Sequence, residues 1–311
     1  MTKMTRIGRR AALAGSAAAI GALSATAAIG AAGILVGCGS SSSSDSASSS
    51  TATTATGCPT LTKGTLTIGT DNPAYPPWFQ GTPKAGSTWK VGDPTSGEGY
   101  EAAVAYAVAA KMGYKKDQVT WQVTPFSQSY APGDKPFDFF INQVSYTPQR
   151  AKNVDFSPSY YTVAQAVVAL KGTPIAKATS IPDLQPYTLG AQVGTTAYTA
   201  IKDQIQPNQD PRVYDNQNDV VSALKAKQVD GIVVDLPTAF YVTAAQVPNS
   251  VIVGQLPPPQ GTQEHFGLVM AKGSKVSACV DAAVTALQQD GTLDKLQQQW
   301  LSKAAGAPVL P

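Results

Sequence analysis

The side chains that could do chemistry in this chain are few. Of its 311 residues one is a histidine, His265, and three are cysteines, Cys38, Cys58 and Cys279. The sequence has no CxxC or HExxH motif for zinc, no GxSxG motif for a hydrolase nucleophile and no GxxxxGK motif for phosphates. These absences argue against a zinc site, a hydrolase elbow and a P-loop, and we expect neither a metal nor a cofactor.

Two charged residues stand where a small charged ligand could be held. Arg150 lies five residues after Ser145, and its planar guanidinium can take a carboxylate through two parallel hydrogen bonds. Asp235 ends the apolar segment 231–234, and ligands of open α/β sheets bind just past the carboxyl ends of strands. The alternatives are an arginine that begins a surface helix and an aspartate that caps a helix beginning at Leu236.

Charge is distributed unevenly along the chain. Lys3, Arg6, Arg9 and Arg10 precede the first acidic residue, Asp45. Subtracting these four from the 23 basic residues leaves 19 against 20 acidic ones, so the net charge of +3 belongs to the N-terminal segment. A nucleic-acid-binding face is therefore not expected. With 43% hydrophobic residues, the remainder is long enough for one or two domains with a core.

The N-terminal segment has the pattern of an export signal. Residues 11–36 are uncharged and follow a basic cluster, which predicts a secretory signal. Leu35-Val36-Gly37-Cys38 resembles a bacterial lipobox, in which the cysteine takes a diacylglyceryl group and the preceding peptide is cut. We therefore predict a lipoprotein signal peptide over 1–37 and lipidation of Cys38. A membrane-spanning anchor is the alternative, and Arg9-Arg10 leaves a twin-arginine route open beside ordinary export.

A Ser-, Thr- and Ala-rich segment follows. Residues 38–60 are predicted to form a disordered tether, because almost nothing in them can be buried. A flexible chain of about twenty residues reaches roughly 25 Å, so a folded domain would stay close to the membrane.

From residue 61 onward, segments of strand and helix character alternate, which predicts an α/β fold. A short β-rich run contains Leu66 and Ile68, and a helix that begins near Tyr100 carries Val104 and Val108 on one face. Further strands are predicted over 119–123, 137–144, 188–193 and 231–234, and further helices over 196–204, 219–227, 276–287 and from 292.

The order of motifs distinguishes among α/β architectures. The segments are LTIGTD at 66–71, YPPW at 75–78, GEGYEAAV at 97–104, SYTPQR at 145–150, NVDFS at 153–157, GAQVGTT at 190–196, ALKAKQVDGIVVD at 223–235 and DGTLDKLQQQW at 290–300. In this order they resemble the periplasmic-type solute-binding proteins of ABC transporters, specifically the polar amino acid-binding family.

The resemblance implies a two-lobed α/β periplasmic-binding-protein (Venus flytrap) fold with a central cleft. Lobe 1 would comprise residues 61–160 and 267–311, and lobe 2 residues 161–266. Two hinge crossings are expected at about 160–164 and 262–266, and the lobes would close over a ligand by hinge motion.

The resemblance also assigns the site. In the family the matching arginine takes the carboxylate of an amino acid and the matching aspartate takes its ammonium, which implies these roles for Arg150 and Asp235. Closing the cleft desolvates both ligand charges, so each needs a partner. The other ligand-binding positions carried over are Asp71, Tyr75, Trp78, Phe126, Asn142, Gln143, Ser145, Gln192, Thr195 and Thr196. Core packing remains the alternative for Trp78, and fixing the Pro-rich turn remains the alternative for Asp71.

The remaining cysteines would lie outside the membrane, in a compartment that permits disulfides. We expect Cys58 and Cys279 to be paired, and two unpaired buried thiols are the alternative. His265 falls in the second crossing and is expected to be structural.

The implied function is an exported, monomeric receptor, lipid-anchored on the extracytoplasmic face, that delivers an amino acid to an ABC permease and its ATPase subunit. One alternative is an enzyme on the same fold, similar to cyclohexadienyl dehydratase, which would need an acid such as Glu98, Glu101 or Asp71 in the cleft. Another is a sensory ligand-binding module that signals through a second chain.

Overall fold

The computed structural model describes residues 57–259, 262–301 and 306–311. All of them belong to one compact unit, Ala52–Pro311. The predicted signal peptide, Cys38 and nearly all of the predicted tether lie outside the described residues. Within the described part of the chain, no helix has the combined length and apolar character that crossing a membrane requires.

Lobe 1 is built on a five-stranded sheet whose strand order is β2-β1-β3-β12-β4. The strands are β1 (Leu66–Thr70), β2 (Val119–Val123), β3 (Phe139–Phe140), β4 (Val154–Phe156) and β12 (Val269–Ala271). β1 runs parallel to β2 and β3, and β12 runs antiparallel to β3 and β4. Because β12 returns from late in the chain, the lobe is assembled from two separate segments.

Helices cover this sheet and complete its core. They are α1 (Tyr100–Lys111), α6 (Ser277–Gln289) and α7 (Thr292–Leu301), with a short α2 (Phe126–Ser129). Apolar side chains of α1 and α6, including Val104, Val108, Val280 and Val284, are buried in one cluster with Leu66 and Ile68 of β1. This burial, at roughly 25 cal/mol per Å² of apolar surface, is what stabilises the lobe.

A glycine sets how closely the loop after β1 approaches α1. Gly99 precedes the helix with φ 96°, and a Cβ there would come within 2.5 Å of the Trp78 carbonyl oxygen. That carbonyl accepts from the backbone N–H of Glu101, so the loop seats on the first turn of α1. The positive φ and the close approach both require glycine.

Lobe 2 has its own five-stranded sheet, in the order β10-β6-β9-β7-β8. The strands are β6 (Gln165–Leu170), β7 (Leu189–Gln192), β8 (Arg212–Tyr214), β9 (Gly231–Asp235) and β10 (Ser250–Gln255). The helices are α3 (Thr196–Ala200), α4 (Gln217–Lys225) and α5 (Leu236–Tyr241). Apolar side chains form a buried cluster on each face of this sheet. One cluster contains Val167, Leu189 and Val233, and the other contains Val168, Val220 and Ile232.

Two short strands connect the lobes. β5 (Tyr161–Thr162) pairs antiparallel with β11 (His265–Phe266), so the outgoing and returning chain run side by side. Aromatic rings pack at this junction. The centre of the Trp78 ring lies 5.5 Å from that of Tyr161 and 5.7 Å from that of Phe266, and both contacts are edge-to-face. A connection of only two paired strands can act as a hinge between the lobes, and the pairing holds the two crossings side by side.

The C-terminal residues correct the expectation that all of 267–311 belongs to lobe 1. Leu310 is 2% exposed and lies in a core cluster of lobe 2. Its backbone N–H donates to the Gln255 carbonyl, and the Gln255 N–H donates to the Pro308 carbonyl. The physical reason is that β10 is an edge strand whose free backbone groups can be satisfied by an added segment. We call residues 306–311 the C-terminal tail.

Candidate functional site

A cavity of about 420 Å³ lies between the two lobes, within the size range of small-molecule sites. Loops after the strands of both sheets form its wall, as expected where strand ends of two α/β lobes face each other. Most predicted ligand-binding residues line it: Asp71, Tyr75, Phe126, Asn142, Gln143, Ser145 and Arg150 from lobe 1, and Gln192, Thr195, Thr196 and Asp235 from lobe 2.

Arg150 is held in place by the protein itself. Its Nη1 donates to the Ser145 carbonyl at 2.7 Å and its Nη2 donates to the Gly194 carbonyl, on the other lobe, at 2.8 Å. The guanidinium carbon lies 4.5 Å from the centre of the Tyr130 ring and 5.5 Å from that of Phe126. Because a guanidinium has five N–H groups, N–H donors remain for a carboxylate in the cavity.

Asp235 faces the same cavity from the end of β9. Its Oδ1 accepts from Gln165 Nε2 at 2.8 Å. Burial raises the pKa of Asp235 well above its usual value, and the charge of Glu264 acts in the same direction, whereas Gln165 and the charge of Arg150 lower it. A ligand ammonium next to this carboxyl would favour its ionised form. Asp235 precedes α5, but its side chain makes no capping hydrogen bond to that helix.

Two polar residues that the sequence analysis missed, the buried Gln165 and the partly buried Glu264, connect cavity residues to the junction between the lobes. Glu264 accepts from Ser145 Oγ at 2.5 Å and from Gln165 Nε2 at 3.1 Å. Ser145 Oγ also lies 3.2 Å from Thr196 Oγ1, which joins lobe 1 to lobe 2. The available signal was position, since Gln165 directly follows the first predicted crossing and Glu264 lies within the second.

Trp78 departs from its predicted place in the ligand-binding set. It is fully buried in the core of lobe 1 and does not line the cavity. The indole Nε1–H donates to Thr238 Oγ1 at 2.9 Å, and that hydroxyl donates to Gln143 Oε1 at 3.0 Å. Trp78 does not reach the cavity because its ring is buried between the loop after β1, helix α1 and strand β5. Through Thr238 it helps to position Gln143 rather than covering a ligand.

Glu101 supports the cavity from behind. Its Oε1 accepts from the Gln143 N–H and from the Tyr160 hydroxyl. Gln143 has φ 52°, a left-handed conformation that costs energy for a residue with a side chain, and the carboxyl group of Glu101 holds it there. Burial raises the pKa of Glu101 to about 7, although both hydrogen bonds lower it.

The three acids considered for an enzyme are placed differently. Glu98 is exposed and Glu101 is buried behind the wall, and neither lines the cavity. Asp71 does line it, with its two oxygens accepting from the N–H groups of Asn72 and Phe126. Burial raises the pKa of Asp71. Asp71 therefore both fixes the loop after β1 and presents a carboxyl group to the cavity.

Three other predictions concern cysteine, histidine and metal chemistry. Cys58 and Cys279 are bonded to each other, with their Cα atoms 6.0 Å apart, within the usual range for a disulfide. The His265 ring stacks on Tyr146 at 5.4 Å and lies outside the cavity wall. Among the described residues, no three His, Cys, Asp or Glu side chains are grouped to hold a metal ion.

Residues 66–303 match the model of the bacterial extracellular solute-binding proteins, family 3. The chain belongs to this family. Members of this family are extracellular solute-binding proteins and not enzymes.

The curated relatives of this family 3 protein are named as amino acid-binding proteins. The L-cystine-binding protein TcyJ of Escherichia coli (strain K12) is 26% identical over 241 residues, covering 76% of this chain and 83% of the relative. The arginine-binding extracellular protein ArtP of Bacillus subtilis (strain 168) is 26% identical over 211 residues, covering 66% and 78%.

Solved structures share the architecture. An ancestral arginine-binding protein bound to arginine matches with a TM-score of 0.60 and 27% identity, over 76% of this chain and 98% of that one. This similarity, together with the two sheets joined by β5 and β11, confirms the predicted two-lobed α/β fold.

Proposed function

We propose that this protein is the extracytoplasmic receptor of an ABC transporter, that it captures a polar amino acid between its lobes, and that Arg150 and Asp235 hold the ligand's carboxylate and ammonium. We call these two residues the clamp. One observation carries the proposal. A buried guanidinium from lobe 1 and a buried carboxyl from lobe 2 line the same cavity. A zwitterion placed between them compensates both charges, whereas either charge alone would be costly to keep out of water.

The contacts between the lobes support capture by closure. Arg150 reaches the Gly194 carbonyl and Ser145 reaches Thr196, so residues of the cavity wall themselves bridge the cleft. Trp78 and Thr238 make a third bridge, with Thr238 at the cavity wall. A ligand that bonds to both lobes adds to the same set of contacts, and its binding therefore favours the closed arrangement.

Calorimetry on single substitutions tests the clamp. The purified protein is titrated with the common amino acids and with L-cystine, and the best ligand is used for Arg150→Ala and Asp235→Ala. We expect each substitution to cost several kcal/mol, which is two or more decades in Kd, because a ligand charge is left buried without a partner.

Matched controls separate a lost clamp from a lost fold. Arg212→Ala and Asp215→Ala remove the same charges from exposed positions in lobe 2. They should leave Kd within about twofold, and all four variants should show native melting. If the wild type binds no amino acid, or if the clamp variants bind as tightly as the controls, the proposed function is wrong.

The anchoring of the receptor is also part of the proposal. The lipobox at Cys38 supports attachment through a diacylglyceryl group, with the protein acting as a monomer next to its permease. In cells, Cys38→Ser is expected to release the protein from the membrane or leave its signal uncut, whereas Ser40→Ala should not. Normal processing and detergent-dependent extraction of Cys38→Ser would contradict lipidation.

A further inference from the structure

The cavity extends beyond the clamp to a second group of polar residues. Asp71, Tyr75 and Lys90 come from lobe 1, and Gln217 and Asp219 come from lobe 2. We call these five residues the outer subsite. None of them was needed to hold an amino-acid head group between Arg150 and Asp235.

The charges that act on Asp235 differ from those that act on Tyr75, although both residues line the same cavity. The pKa of Asp235 responds to Glu264, Glu101 and Arg150, and none of these belongs to the outer subsite. The pKa of Tyr75 is raised to about 12 by burial and by the charges of Asp71 and Asp219. An acid from each lobe, Asp71 and Asp219, therefore acts on the Tyr75 hydroxyl.

Two atoms of the outer subsite have unmet hydrogen-bonding capacity. The Tyr75 hydroxyl and Gln217 Nε2 are buried, and among the described residues neither has a partner. Burying such a group without a partner is unfavourable. Because both residues line the cavity, one on each lobe, a polar ligand group between them would satisfy both atoms.

The charges of the outer subsite define that polar group. Gln217 Nε2 and the Lys90 ammonium are donors, which suit a carboxylate. Asp71 and Asp219 are acceptors, which suit an ammonium. A lone guanidinium would be repelled by Lys90, and a lone carboxylate would be repelled by the two aspartates. A group carrying both an ammonium and a carboxylate matches all of them.

We propose that the outer subsite binds a second amino-acid head group, so that the ligand is a two-headed diamino dicarboxylic acid of the cystine type. The inference rests on the proposed function, because the first head group occupies the clamp. Phe126 lies between the two ends: its N–H donates to Asp71 and its ring faces Arg150. The apolar middle of a two-headed ligand would pass this ring.

The test compares a two-headed with a one-headed ligand of the same chemistry. L-cystine and S-methyl-L-cysteine are titrated calorimetrically into the full mature protein under non-reducing conditions. We expect L-cystine to bind at least tenfold more tightly. Lys90→Met and Gln217→Leu should each reduce the ratio of the two affinities by tenfold or more, because each removes a donor to the second carboxylate.

Matched control variants and two opposite outcomes complete the test. Lys84→Met and Gln228→Leu make the same changes at exposed positions that do not line the cavity, and they should leave the ratio unchanged. If one-headed amino acids bind as tightly as L-cystine and still depend on Arg150, the inference is wrong and the proposed function stands. If neither ligand nor any common amino acid binds, both are wrong.

Discussion

The carboxyl group of Glu101 links the hinge to the cavity wall at the scale of a single residue. Its side chain has no exposed surface, and both hydrogen bonds fall on Oε1, from Tyr160 and from Gln143. Within the described part of the chain, Oε2 has no partner. A protonated carboxyl or an amide fits this environment better than a carboxylate, which is why burial raises the pKa to about 7.

Stability should therefore depend on pH through Glu101. The native state holds this proton with a pKa of about 7, above the ordinary value of 4.5, so the free energy of unfolding falls as pH rises between these values. The slope from this residue is at most about 1.4 kcal/mol per pH unit. Glu101→Gln cannot titrate, and urea unfolding should show it gaining stability relative to wild type from pH 5 to pH 8.

Glu98→Gln is the matched control, because Glu98 is exposed three residues earlier. The difference between this variant and wild type should stay constant over the same pH range. Parallel pH profiles for Glu101→Gln and wild type would show that the buried carboxyl is not the titrating group.

The sequence placed Arg150 and Asp235 at a cleft, whereas the residues that contact them there could not be predicted. Arg150 and Asp235 follow motifs whose order identifies the family, and both line the cavity. Gln165 and Glu264 carry no motif, and their importance comes from contacts between residues 99 positions apart. Trp78 lies in the core, the alternative that the sequence left open, because a sequence does not show which side of a loop faces the core.

At the scale of elements, the accuracy of the sequence prediction depended on how regular each segment is. The strand predicted over 119–123 is β2, Val119–Val123. The strand predicted over 137–144 is paired only at Phe139–Phe140, because the chain leaves the sheet to bring Asn142 and Gln143 to the cavity. The helix predicted over 196–204 is α3 followed by a π-helical turn, Ile201–Ile205. Departures thus concentrate where the site or local geometry overrides periodicity.

The disulfide fastens α6 to the segment that precedes β1. Cys58 is 8% exposed in the core of lobe 1, and its partner Cys279 lies 221 residues later in α6. A cross-link over so long a loop removes much of the entropy of the unfolded chain. We expect Cys58→Ser with Cys279→Ser to lower the free energy of unfolding by about 2 to 5 kcal/mol, measured by urea denaturation.

A mass spectrum of an unreduced digest checks the bond itself. The peptides containing Cys58 and Cys279 should appear joined and should separate after reduction. Ser277→Ala, two residues from Cys279 in α6, serves as a control that leaves the bond intact. Free thiols at both positions in exported protein would contradict the pairing.

At the scale of the whole molecule, the C-terminal tail adds a third connection between the lobes. α7 packs in the core of lobe 1, whereas Leu310 packs in a core cluster of lobe 2. Gly254 in β10 makes room for Leu310, since a Cβ there would come within 2.6 Å of Leu310 Cγ. The tail therefore extends the edge of the lobe 2 sheet after the chain has completed lobe 1.

Removing the tail should loosen lobe 2 locally. Leu310→Ala deletes a buried side chain, which costs about 2 to 5 kcal/mol in a rigid core and less if the tail detaches. Detachment also frees the β10 backbone groups that bond to Pro308 and Leu310. Hydrogen exchange monitored by mass spectrometry should show faster exchange in Ser250–Gln255 for Leu310→Ala and for a chain ending at residue 305, with no change in Leu66–Thr70.

Leu61→Ala provides the matched control, because Leu61 is 63% exposed and its truncation removes no buried contact. It should leave exchange in β10 at the wild-type rate. Since the clamp residues lie on other loops, the tail variants should still bind ligand with one site per chain. Unchanged exchange in β10 after removal of the tail would mean that these residues do not hold the lobe 2 edge in solution. Faster exchange spread equally over both lobes would mean that the tail stabilises the fold as a whole rather than one edge of one sheet.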